Sequence, residues 1–118
     1  MTAVVILLPL ALLLVAGVTQ LGANGVIKRN GFVGLRIPST LRSDAGWLAG
    51  HRAAATPAWI GFAVTTVAGV AALLSEVAFP FVTIELVAWV LTFVFAIVMA
   101  SRAASAAPVD NHVDSPRT

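Results

Sequence analysis

Apolar residues dominate this chain in three long runs. No charged residue occurs from Met1 through Ile27 or from Ala53 through Ser75, and a third run, Val77 to Ser101, is interrupted only by Glu85. Each run is long enough to cross a hydrocarbon core of ~30 Å, which takes roughly 20 apolar residues as a helix. The pattern predicts an all-α membrane protein of three transmembrane helices. The first occupies residues 1–23, the second 57–75 and the third 81–101. A loop over 24–56 joins the first two, a short link over 76–80 joins the last two, and 102–118 form a tail.

Local signals set these boundaries. Pro9 lies inside the first span, which a membrane helix tolerates as a kink. A cleaved signal peptide is the competing reading of this segment, but it lacks a basic leader and its apolar stretch is too long. The run Gly22-Ala23-Asn24-Gly25 favours a turn out of the helix. Pro57 suits the first turn of the second helix and Pro80 can start the third. Gly61, Thr65 and Gly69 recur at four-residue spacing, a small-residue stripe on which another helix can pack closely. The tail from Ala103, rich in Ala, Ser, Pro and Asp, has no apolar period and is expected to be disordered, with His112 solvated.

Composition agrees with a bilayer. Of 118 residues, 59% are hydrophobic and 10% charged, against roughly 25% charged in soluble domains. The net charge of +2 is too small and scattered for nucleic-acid binding. From Lys28 to Arg52 there are five basic residues and one acid, Asp44. By the positive-inside rule this loop faces the cytoplasm, the N-terminus lies outside and the C-terminus inside. With no cysteine there is no disulfide, thiolate nucleophile or Cys-based metal site.

The polar island from Asn30 to Arg52 is where specific chemistry is expected. Pro38 biases Ile37 to an extended conformation, and Thr40 or Ser43 can cap a short interfacial helix running toward Arg52. On that helix Asp44, Trp47 and His51 fall at i, i+3 and i+7, hence on one face. One reading is a polar site at the membrane surface, with Arg36 and Arg52 as anion or headgroup contacts, Asp44 as their partner and His51 as a proton-responsive donor. The other is a simple interfacial helix anchored by Trp47, with its charges solvated. One His and one Asp fall short of a metal site, no cofactor motif is present, and no nucleophile triad is readable from the spacing.

The pattern Asn30-x-x-x-Gly34-Leu35-Arg36-Ile37-Pro38-x-Thr40-Leu41-x-Ser43-x-x-x-Trp47-x-x-x-His51-Arg52 resembles the signature of the SdpI family. These are bacterial multi-pass membrane proteins named for immunity to a secreted killing peptide. The resemblance implies that Asn30, Gly34, Arg36, Pro38, Thr40, Trp47, His51 and Arg52 form the family's shared loop. The chain departs from the pattern in two ways: Ser39 replaces a usual aromatic, and Ala53 to Ala55 stand where a glycine usually follows the His-Arg pair. With one helix before the loop and two after, the chain looks like a minimal module that acts as a homo-oligomer or beside partner helices.

Three functions compete. The resemblance implies a non-enzymatic protein of the cytoplasmic membrane, concerned with immunity to a membrane-active peptide or with signalling through a cytoplasmic regulator. A small oligomeric transporter or channel subunit would use Glu85, about 7 Å past Pro80 at ~1.5 Å per residue, as an intramembrane acid lining a pathway. A lipid-headgroup enzyme would use Arg36, Asp44 and His51.

Overall fold

The computed structural model describes residues 2–109. Its elements in chain order are α1 (Thr2–Ala23), α2 (Pro38–Leu41), α3 (Asp44–Leu74) and α4 (Phe79–Ala106). Helices α1, α3 and α4 are each long and apolar enough to cross a membrane. They pack as an up-down-up bundle in which α3 lies between α1 and α4 along most of its length.

The bundle is held by small residues. Where α3 meets α4, Ala54 packs with Ala96 and Ala100, and a Cβ placed on Gly61 would overlap the side chain of Thr92. Thr65 is fully buried and returns its hydroxyl to the Gly61 carbonyl at 2.9 Å. Large apolar side chains such as Leu14, Val67, Leu74 and Val90 point outward. Lipid tails are as apolar as these side chains, so close backbone approach rather than burial of large groups holds such helices together.

Helix α3 starts earlier than the proline signal suggests. It runs unbroken for 31 residues with Pro57 in its interior, about 46 Å at ~1.5 Å per residue. A ~30 Å core accommodates only about two thirds of that length. The expected short interfacial helix toward Arg52 is therefore the first turns of α3, and α2 is a separate single turn opened by Pro38. The N-cap of α3 is Ser43, whose Oγ accepts from Gly46 N–H at 2.9 Å.

Helix α4 also exceeds expectation, ending at Ala106 rather than near Arg102. Arg42 donates to the Ser105 carbonyl at 3.3 Å and Ser43 Oγ to the Pro108 carbonyl at 2.7 Å. Residues 103–108 are thus docked on the start of α3, which their composition alone did not suggest. From residue 110 onward the tail, including His112, lies outside the described residues.

Candidate functional site

The island folds as a plug between the ends of the three long helices. Asn30 organises its first half. The Asn30 side-chain oxygen accepts from Phe32 and Val33 N–H, both at 2.8 Å, and its amide donates to the Lys28 and Val33 carbonyls. Such a side chain replaces backbone partners that an irregular segment would otherwise lack. Thr40, fully buried, fixes the second half. Its hydroxyl donates to the Leu35 carbonyl at 2.6 Å and accepts from Ile37 N–H at 3.2 Å. Leu35 and Ile37 then pack on the alanine seam of α3 and α4.

His51 stands at the centre, with no exposed surface. Its Nε2 lies 2.9 Å from Leu35 N–H and its Nδ1 2.7 Å from the Trp47 carbonyl. Because a backbone N–H must donate to Nε2 and a carbonyl must accept from Nδ1, the ring is the neutral Nδ1–H tautomer. Both nitrogens are occupied by backbone. A proton on Nε2 would set donor against donor and break the tie to Leu35.

One side chain and three glycines close the cage. The Trp47 ring stacks on His51 with centroids 4.2 Å apart, and its Nε1 donates to the Ile27 carbonyl at 2.9 Å. Gly34 has φ of 106°, and a Cβ there would come within 2.9 Å of the Trp47 ring and 2.8 Å of His51 Nε2. Gly22 of α1 lies against the imidazole so closely that any Cβ would overlap it. Gly50, one helical position before His51, leaves room for the Thr40 methyl, which a Cβ would meet at 2.6 Å.

Arg52 turns toward α1, where its Nε donates to the Ala23 carbonyl at 3.3 Å. That carbonyl belongs to the last turn of α1, where helical carbonyls lack intrahelical partners. Arg29 Nε pairs with Asp44 Oδ1 at 3.2 Å. The acid's partner is therefore Arg29 rather than Arg36 or Arg52, because α3 begins beside the chain returning from α1. Asp44 is 81% exposed. The structure brings Trp47 and His51 together and leaves Asp44 outside, on the rim of a hollow of about 270 Å³ with Lys28, Arg29 and Trp47. Arg36 is exposed, and among the described residues it has no hydrogen bond. Pro38 is exposed at the start of α2.

Gly22, Gly46, Gly50 and Arg29 belong to this site, although the sequence pattern assigned Gly22 only a turn, which begins after it since α1 runs to Ala23, and placed none of the four here. A helical glycine costs about 1 kcal/mol relative to alanine, so the Gly46 and Gly50 pair inside α3 was a signal of close packing.

Among the described residues no three His, Asp or Glu side chains converge as a metal site. Away from the plug, Glu85 is fully buried in the bundle. Neither its carboxyl oxygens nor Trp89 Nε1 has a hydrogen-bond partner.

Three long apolar helices closed at one end by a glycine-rich plug, ordered around a His-Trp stack, define a small integral membrane protein. The model of the SdpI/YfhL protein family matches residues 26–102, which spans the plug, α3 and most of α4. The chain belongs to that family. No curated protein and no solved structure matches it.

Proposed function

We propose that this chain is a non-enzymatic protein of the bacterial cytoplasmic membrane that protects against a membrane-active peptide, or signals its presence, with the plug facing a cytoplasmic regulator. The N-terminus lies outside and the C-terminus inside, as the basic excess around the plug favours. The observation that carries this reading is an apolar groove of about 510 Å³ between α3 and α4, open toward lipid and lined by Ile60, Gly61, Val64, Leu91 and Phe95 among others. A helical or extended apolar peptide dissolved in the bilayer finds there the close backbone approach that drives helix association in lipid.

The plug contributes a fixed platform. Its buried motif residues are consumed in holding it, and Phe32 (90% exposed), Lys28 and Arg36 are among the residues it presents outward. A headgroup enzyme would need a base near Asp44, whereas His51 has both nitrogens bonded to backbone. The enclosed carboxyl of Glu85 favours a carrier or channel subunit as the second reading.

The test is survival of a sensitive bacterium challenged with membrane-active peptides, with and without this chain. Protection by the wild type, lost in Leu91→Trp at equal membrane abundance, is the expected result, since an indole there fills the groove from its lipid side. Survival no better than the vector control against every peptide would overturn the reading.

A further inference from the structure

Glu85 sits about 9 Å into α4, six residues past Phe79 at ~1.5 Å per residue, toward the end of the bundle opposite the plug. It points between the helices rather than at lipid, since none of its surface is exposed. Two further features meet it there. Pro9 has no N–H, so the α-helical bond that residue 9 would donate to the Val5 carbonyl is missing. Gly69 of α3 leaves a notch between the two: a Cβ on it would lie 3.0 Å from the Val5 oxygen and 3.2 Å from Glu85 Oε1.

The notch thus collects acceptor oxygens. The Val5 carbonyl and both Glu85 oxygens face an apolar interior, and the carboxyl oxygens are unpartnered. Leaving such groups without hydrogen bonds is costly where water is absent. No other titratable residue lies in α1, in α3 beyond Arg52, or in α4 before Arg102. In the turn between α3 and α4 the one charged group is Glu76, which is exposed and of the same sign. Three oxygens are too few for a divalent cation, which takes six or more. One proton suffices.

We propose that Glu85, the Val5 carbonyl and the Gly69 notch form a proton-binding site inside the bundle, in which the carboxyl keeps the proton and its O–H donates a hydrogen bond across the notch to the Val5 carbonyl. The terminal carboxyl torsion is broad and roughly two-fold, which leaves the O–H free to turn toward the carbonyl. The proton comes from water at the α3–α4 turn and returns there. Bound, it fastens α4 to α1, two helices that otherwise touch little. Released, it leaves a carboxylate facing a carbonyl, which drives them apart.

Infrared spectroscopy of the protein in lipid vesicles reads this directly, because a protonated carboxyl has a carbonyl band distinct from amides and carboxylates. At neutral pH the wild type is expected to show one such band, lost in Glu85→Gln and lost at alkaline pH. In Pro9→Ala, which keeps the carboxyl and gives the Val5 carbonyl a competing N–H donor, the band is expected to shift to higher frequency as the bond to that acceptor weakens. Its alkaline loss is expected to come at lower pH. A wild type without the band at neutral pH would overturn the site. A band unmoved in position and pH dependence by Pro9→Ala would overturn the role of Val5.

Discussion

His51 Nε2 accepts the Leu35 N–H at 2.9 Å across a sequence separation of 16 residues, and this bond pins the plug to α3. On the other side the same ring rests on Gly22 of α1. The imidazole is therefore the common contact of two helices and the loop between them, and the predictions for the plug follow from its geometry.

His51→Ala is expected to destabilise the folded bundle. A buried N–H left without an acceptor costs about 1–3 kcal/mol, and the emptied ring space adds a cavity term. Thermal melting of the detergent-solubilised protein measures the loss. Arg36→Ala, by contrast, removes an exposed side chain and should leave melting and membrane abundance unchanged. If Arg36 is the face read by a cytoplasmic partner, it lowers protection in the survival assay without lowering abundance.

The glycines divide into two groups. Gly22→Ala and Gly34→Ala drive a methyl into the His51 and Trp47 rings and should lower melting strongly, with Gly34 adding strain at its positive φ. Gly25 has φ of 75° but open space around a Cβ, so Gly25→Ala should lose only the left-handed penalty, about 1–2 kcal/mol. Gly17→Ala meets nothing within 4 Å inside α1 and should be neutral or slightly stabilising. Melting of the four variants side by side checks the order.

Asp44→Asn should change stability by no more than about 1 kcal/mol, because its pair with Arg29 is exposed. Trp47→Ala should cost several times more, since it removes a ring 2% exposed, its stack on His51 and its bond to Ile27. Equal losses in the two variants would mean that the plug is held by its charges.

Gly61→Leu should separate α3 from α4, because even a Cβ there overlaps Thr92. A lower melting temperature and reduced membrane abundance are expected. Val64→Leu, one turn nearer the lipid side of the same helix and 43% exposed, is the control that should have little effect.

The spans were readable because charge is absent over lengths that only a bilayer requires, and the plug because its polar residues interrupt them. The family motif was readable as a pattern of residue types, but not what each type does. Spacing along α3 put Asp44, Trp47 and His51 on one face, yet it carries no information on Gly22, Ile27 or Leu35, which reach that face from other elements. Pro57 reads as a helix start because an interior proline removes a backbone hydrogen bond, but a membrane helix tolerates one, and α3 continues through it. The last turn of α4 is Ala and Ser, and the partners of this end of the chain, Arg42 and Ser43, lie more than 60 residues away in sequence.

The imidazole of His51 holds the family loop onto the helices. Hydrogen exchange at the Leu35 amide in a membrane mimic tests this most directly. Protection in the wild type, lost in His51→Ala but kept in Arg36→Ala, is the predicted result. Exchange at random-coil rate in the wild type, or protection that survives His51→Ala, would contradict it.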